Sequence, residues 1–482
     1  MGKRLILVLA IAFVVCSLSS AFAAVQNIKV SGDILMRAID RQNFSLSEDY
    51  KYHDSGFISQ VRVRIDADLT DNVSACIRLI NERTWGNDWY GALAVNERDD
   101  GVGIDLAYVT LKEFLYSPLS LTVGRQELRF GNALIIGDVD TNSPRVDGVP
   151  EANEWQIPWD LSLRKSFDAV RATLNYEPLV VDVIYSKIQE NDIWWMQMGP
   201  GVGTPEKNDV DLYGMNASYD MTALGFKGAT DIYWFSKMNR APAYVLGQKK
   251  DSVHTIGFLT RGQIVNNLTA SLEGAFQFGN AANPLVGDMK GFTASVDAKR
   301  RAWALQLTAN YDLKDVARIS KYSPQVGVIY GILSGDKKDN KKYTMWDPMF
   351  EDQTINSITN AILPHTNTQY VALKGSFKPM EDVTVSGVWG YYLLWVKPTF
   401  GWVPSTYGPV GLGGVYSLSD NNDKYLGQAL DITTTYDYTE DVQFGLTFGY
   451  FNPGTAFDKT ANGIWRFDEN AVQMIGSMKV TF

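Results

Sequence analysis

Cysteine is nearly missing from this chain. Cys16 sits in an apolar leader and only Cys76 follows it, so no intramolecular disulfide can form once the leader is gone. Histidine is equally scarce, with His53, His254 and His365 the whole supply, which leaves little material for acid–base catalysis. After Val15 there is no apolar run approaching the roughly 20 residues that a membrane-spanning helix needs. Basic residues are outnumbered, 44 to 54, and the formal net charge is −10. Loss of a leader carrying Lys3 and Arg4 leaves 42 basic residues and a charge of −12. Nucleic acid demands a basic footprint and is excluded as a partner. No Pro/Ser-rich linker or plug-sized insertion divides the sequence.

What is present starts at the N-terminus. Lys3 and Arg4 precede an apolar stretch from Leu5 to Val15, and Ala21-Phe22-Ala23 follows as a cleavage site. Residues 1–23 are therefore expected to be a signal peptide and 24–482 one mature domain. Val15 stands where a lipoprotein signal wants a small residue, so a lipid anchor on Cys16 is not expected. With 24 Tyr, 22 Phe and 13 Trp, the chain is rich in aromatics. Secreted, acidic, aromatic and free of long oily runs is the composition of a transmembrane β-barrel, or of a secreted soluble β-protein.

Alternation separates the two. Val472, Met474, Gly476, Met478, Val480 and Phe482 share one parity, and Ser477, Lys479 and Thr481 the other. Successive strand side chains point to opposite faces, so this is a strand with an oily and a wet side. Ending on an aromatic, it resembles the signal by which bacterial outer-membrane barrels engage their assembly machinery. Val61, Val63 and Ile65 alternate with Arg62 and Arg64; Leu268, Leu272 and Phe276 with Thr269 and Glu273; Val442, Phe444 and Phe448 with Thr447. Charges on the inner face of so many strands would be intolerable in a dry core and are ordinary in a wet lumen. The first member of each set is expected to face lipid and the second the lumen.

Short turns at 70–72, 177–178, 265–267, 378–382 and 439–441 alternate with long connections at 83–103, 131–165, 190–208, 336–365, 397–424 and 453–468. One rim is trimmed and the other decorated. A plain count gives nineteen strands, odd for a single-chain bacterial barrel. The parity flip at Arg300-Arg301 is read as a β-bulge in one long strand, giving eighteen antiparallel strands with both termini periplasmic. A second bulge is expected at Gly124, turning Arg125, Glu127 and Arg129 inward.

The first half of the chain carries inward arginines: Arg37, Arg62, Arg64, Arg78, Arg125, Arg129 and Arg171, interleaved with Asp33, Asp66, Asp68, Glu82, Glu127 and Asp182. These charges could hold the wall together as ion pairs. They could equally form a constriction that selects solutes, since a narrow low-dielectric mouth focuses the field of its lining groups.

Gly124-Arg125-Gln126-Glu127-Leu128-Arg129-Phe130-Gly131, followed by Phe167-Asp168-Ala169-Val170-Arg171, resembles the G-R-Q-x-L-x-x-G and F-D-x-V-R segments of the alginate-export family of outer-membrane porins. Ser334-Gly335-Asp336 and Trp346-Asp347-Pro348-Met349-Phe350 resemble that family's S-G-D and F-D-P-L-F-P segments. The resemblance implies an eighteen-stranded barrel with an arginine-lined pore, and by motif it puts Arg125 and Arg171 among the pore-lining positions. Trp346 in place of Phe, Glu351 in place of Pro, and Asn132-Ala133-Leu134-Ile135 in place of a basic stretch put alginate itself in doubt as the solute.

Other features are weaker. Trp85 and Trp89, Trp155 and Trp159, Trp194 and Trp195 decorate long connections, where they can stack on sugars or join an interfacial girdle. Asp420-Asn421-Asn422-Asp423 lacks an EF-hand spacing and reads as a solvated turn, so no metal is expected. Ser252 and His254 share a face but are a poor nucleophile–base pair on one strand, and Pro200 within 199–203 rules out a dinucleotide loop. No cofactor and no enzymatic activity are expected. The leading expectation is a bacterial outer-membrane channel for a hydrophilic, anionic solute such as a uronate oligosaccharide or carboxylate. A structural or adhesive barrel and an outer-membrane hydrolase are the alternatives. Its partners are then outer-membrane lipid, the solute and the assembly machinery, with a monomer the default. Within the barrel, segment 131–165 is expected to enter the lumen on its apolar residues (Leu134, Ile135, Ile136, Trp155, Ile157, Trp159) and to form the constriction with Arg125, Arg129 and Arg171.

Overall fold

Period-two alternation makes strands here because each segment can bury one face while the other stays wet, and closure into a barrel leaves no edge unpaired. The computed structural model describes residues 27–47, 53–85, 101–139, 159–189, 209–239, 251–281, 298–336, 342–363, 365–397, 401–404, 415–418, 423–457 and 468–482. Its first strands are β1 (Asn27–Gln42), β2 (His53–Thr70), β3 (Val73–Thr84), β4 (Gly103–Leu111), β5 (Leu119–Glu127) and β6 (Ser166–Tyr176). They continue as β7 (Leu179–Gln189), β8 (Val210–Asp220), β9 (Gly228–Asn239), β10 (Asp251–Val265), β11 (Leu268–Ala281) and β12 (Ala298–Asp312). The circle is completed by β13 (Gln325–Leu333), β14 (Thr368–Met380), β15 (Val383–Leu394), β16 (Tyr425–Asp437), β17 (Val442–Pro453) and β18 (Ala471–Thr481). Each pairs antiparallel with its sequence neighbour, and β1 pairs with β18 from Asp33↔Thr481 to Gln42↔Val472, closing eighteen strands into a barrel. A nineteenth member of the sheet, Lys342–Tyr343, lies parallel to the start of β12.

Both chain ends of the barrel, Asn27 and Thr481, lie at the rim of the short turns, alongside 71–72, 177–178 and 266–267. Ile65, Leu272, Phe276, Phe444 and Phe448 are exposed on the outer wall, as the alternation required. Glu273 is buried on the inner side, and Thr447 meets Thr433 there at 3.0 Å.

Two expected bulges are absent. Strand β12 keeps one register with β11 from Leu268↔Tyr311 to Ala281↔Ala298, so Arg300 points inward and Arg301 outward without a break. Phe292, Ala294 and Val296, whose apolar parity is opposite to that of Trp303, Leu305 and Leu307, lie outside the described residues. Gly124 likewise stays in register with Tyr108 and Ala169. Its φ of +123° lets β4 approach so closely that a Cβ would stand 2.1 Å from Ala107 O. The register shift is on β4 instead, where Asp105 is inserted between Ile104, opposite Leu79, and Leu106, opposite Arg78. That insertion turns Asp105 inward, away from the lipid-facing parity of Ile104.

Candidate functional site

A barrel this wide leaves an aqueous bore unless something fills it. Here three stretches from the long connections fold inward. Residues 128–139 carry Leu128, Phe130, Leu134, Ile135 and Ile136 against wall residues Ala169, Ile184, Tyr233, Phe235 and Ala302. Residues 344–353 bring Trp346, Met349 and Phe350 into the same buried cluster. Next in sequence, helix α1 (Ser357–Ile362) packs Ile358, Ala361 and Ile362 on Tyr370, Tyr392, Ala429 and Phe451.

Local chemistry explains each seat. The chain reverses at Gly131, φ +60°, a left-handed conformation that costs glycine little. Below that turn Glu273 accepts from Asn132 N at 3.3 Å and from the Tyr233 hydroxyl at 3.0 Å. Segment 344–353 is tied at its beginning to Ser334-Gly335-Asp336: Asp336 accepts from Thr344 N at 2.8 Å, and Ser334 O from Trp346 N at 2.9 Å. Gln277 then clasps Asp347 twice, its Nε2 donating to the main-chain O and its Oε1 accepting from N, at 2.7 and 2.9 Å. The Asp347 carboxylate takes a hydrogen bond from Lys237 at 2.8 Å and lies 3.8 Å from Arg300. Burial works against its charge, but Lys237 and Arg300 outweigh burial and hold the carboxyl below the ordinary aspartate value. The motifs that carried the resemblance are thus largely the anchors of the lumen filling.

The two inner segments also bind each other. Phe350 N donates to Ile135 O at 3.0 Å, Gly137 N to Phe350 O at 2.7 Å, and Asp352 N to Ala133 O at 2.9 Å. Their side chains meet in a charged eyelet: Arg129 and Lys165 both bind the Asp352 carboxylate, and Asp138 lies 3.8 Å from Lys165. On the other side of the eyelet the lumen opens into a polar cavity of about 950 Å³, to which Arg129, Lys227, Arg261, Lys374, Asp220 and Asp352 contribute.

The arginines singled out from sequence fall into five situations. Arg62 pairs with Asp33 at 2.9 Å, Arg64 with Asp66 at 2.7 Å and Arg171 with Asp182 at 2.7 Å, all along the inner wall. Arg78 binds the inserted Asp105 and reaches Glu127, each at 2.5 Å. Arg37 donates to Leu161 O at 2.6 Å, helping to pin residues 159–165 to the wall. Arg129 stands at the eyelet. Arg125 departs from expectation. It shares the outward parity of Val123 and pairs with Asp168 of β6 on the outer wall, because no bulge at Gly124 turns it inward. Segment 131–165 enters the lumen over both of its described stretches; 140–158 lies outside the described residues.

Sequence reasoning missed several members of the site. Arg41 is wholly buried against Asp160 at 2.6 Å, and it shares parity with Arg37, which was a usable signal. Lys165, Asp352 and the whole of 344–363 lie in connections without period-two patterning, and only their apolar content could have betrayed an inward path. His254 bonds Ser236 at 2.8 Å, while Ser252 accepts from Asn280 N, so the two do not form a nucleophile–base pair. Trp85 stacks on outward Phe57 with centroids 5.2 Å apart, in the manner of an interfacial girdle. Within 420–423 only Asp423 is described, and it accepts from Lys424 N at 2.7 Å as an ordinary turn residue.

Comparison with known proteins gives two findings. The family model described as alginate export matches residues 27–464. Among solved structures, the chain is similar to three Pseudomonas aeruginosa proteins, each aligned over 95% of this chain. They are OccK8 (OprE), at 10% identity and TM-score 0.53 over 99% of its chain, OccK2 (OpdF), at 8% and 0.51 over 99%, and OccK3 (OpdO), at 8% and 0.51 over 97%. At such identities the likeness is one of fold. No curated protein matches.

Proposed function

Since the chain belongs to the alginate export family and is a channel of the bacterial outer membrane, we propose that it passes a hydrophilic, anionic solute by diffusion. The short-turn rim with both termini faces the periplasm and the long connections face outward. No chemical step accompanies passage. The observation that carries the reading is the lining of the cavity next to the eyelet, where four cations (Arg129, Lys227, Arg261, Lys374) stand against three carboxylates, Asp220, Asp352 and the Asp231 that lies 3.5 Å from Arg261. In a narrow lumen with low-dielectric walls such an excess focuses positive potential on the path. Uronate oligosaccharides and small carboxylates combine the needed charge with hydroxyls that suit a polar wall.

Planar-bilayer recording across a salt gradient tests this, with a reversal potential favouring the anion as the expected result. A cation preference would overturn the reading. A second reading, a structural barrel with a closed lumen, draws on the buried clusters that fill the bore, and a complete lack of current would favour it.

A further inference from the structure

The eyelet holds a feature that anion passage alone does not require. Arg129 and Lys165 come from opposite ends of one connection and converge on a single carboxylate carried by the other inner segment. Arg129 Nη1 donates to Asp352 Oδ2, and Lys165 Nζ donates to Asp352 Oδ1, so each oxygen is matched to its own cation. The backbone fixes the acid in place, through Asp352 N to Ala133 O and the neighbouring Ile135–Phe350 bonds. Exposure is unequal: the Arg129 side chain is 55% exposed and Lys165 34%, against 16% for Asp352. The donors are open to solvent while the acceptor is tucked between them.

Two cations offering separate donors to the two oxygens of one carboxylate make a recognition site for a carboxylate of any origin. We propose that Asp352 is a tethered occupant of a carboxylate-binding site formed by Arg129 and Lys165, which a carboxylate on the solute enters by displacing it. This rests on the anion-channel reading and deepens it by naming the group that is recognised and the residue that sets its affinity. Competition from the tether keeps binding weak enough for release, which conduction requires. Neutral sugars carry no group that can take the place of Asp352. When the solute leaves, the carboxylate returns, and the site never presents two bare cations to the lumen.

The test is calorimetric titration of the detergent-folded full chain with glucuronate, which reads the site whether or not the channel conducts. Asp352→Asn keeps the shape and the main-chain bond but removes the charged competitor. Its glucuronate Kd should fall about tenfold, the scale of one charge-assisted hydrogen-bonded contact. Asp352→Ala should behave alike. Asp312→Asn makes the same charge change on the inner face of β12, outside the lining of that cavity, and should bind as the wild type does. Adding Arg129→Gln to Asp352→Asn should abolish the gain, and glucose should bind none of them. An unchanged Kd in both Asp352 variants, or an equal gain in Asp312→Asn, would overturn the tether. A wild-type reversal potential without anion preference would instead sink the channel reading, so the two failures are distinguishable.

Discussion

Removing the Asp347 carboxylate should unseat the lumen filling without disturbing the barrel. The carboxylate joins segment 344–353 to β9 through Lys237 and approaches β12 at Arg300, while the Gln277 clasp on its main chain would survive substitution. Stripping one partner from a buried ion pair costs about 3–5 kcal/mol. The lower end applies here, because Lys237 and Asp347 side chains keep 20% and 18% exposure. A loss of ~3 kcal/mol moves an equilibrium by roughly two powers of ten. A segment displaced about 0.1% of the time would then be displaced about 10% of the time. Single-channel recording of Asp347→Ala should reveal a second, larger conductance level with an occupancy of that order. Asp347→Asn should fall between, since its side-chain oxygen can still accept from Met349 N as Asp347 does at 2.8 Å. The folded state of each variant is checked by its heat-modifiable migration on gels. An unchanged distribution of open levels in folded Asp347→Ala would refute the idea that this anchor keeps the bore narrow.

Gly131→Ala should loosen the neighbouring segment, because a Cβ at φ +60° costs ~1–2 kcal/mol and would stand 2.9 Å from Glu273 Oε1. Faster limited proteolysis after Arg129, at an unchanged barrel unfolding midpoint, is the expected readout. His365 lies 2.6 Å from Glu351; burial disfavours its charge, but the glutamate outweighs burial and holds its pKa above the ordinary histidine value. The stabilisation from this pair is therefore complete below about pH 6.5 and fades as pH rises through the higher folded-state value. The urea midpoint of the wild type should exceed that of His365→Gln most at pH 5.5 and least at pH 9, and a gap that widens with pH would contradict the pairing. Leu272→Arg should cost about 2–4 kcal/mol of folding stability in lipid vesicles, whereas Thr269→Arg, on the wet face of the same strand, should cost far less. Equal costs would mean that β11 was assigned its faces wrongly.

The wall was legible because its code is short-range. A strand with lipid on one side and water on the other needs nothing beyond alternate residues to declare its faces, which is why Val61, Leu268 and Phe444 could be placed from sequence. The failures arose where a neighbouring strand decides. Gly124 signals an unusual backbone, but whether that means a bulge or a close approach depends on β4, and the insertion at Asp105 gives no sign in composition. Arg125 was misplaced with it. The filling of the bore was only half legible. Leu134, Ile135 and Ile136 form an apolar run that solvent would not tolerate in a free loop, so an inward path could be expected. Trp346 and Phe350 carry the same hint, yet their anchors Lys237, Gln277 and Arg300 are remote in sequence, and no periodicity links them.

That remoteness fixes an order of events in time. Segment 128–139 is synthesised before nearly everything it rests on: Asn132 meets Glu273 across 141 positions, and Arg129 meets Asp352 across 223. Contacts of such sequence separation form late, after the intervening chain has been organised. The filling cannot be seated before β9 to β12, which carry its anchors Lys237, Glu273, Gln277 and Arg300, are laid down. A molecule whose strands insert before the filling is seated passes through a wide, unstopped stage during which the membrane leaks. In vesicles preloaded with a small dye, refolding should release a burst of dye that ends when Trp346 becomes shielded from quencher, and the length of that burst is the time the filling takes to find its seat.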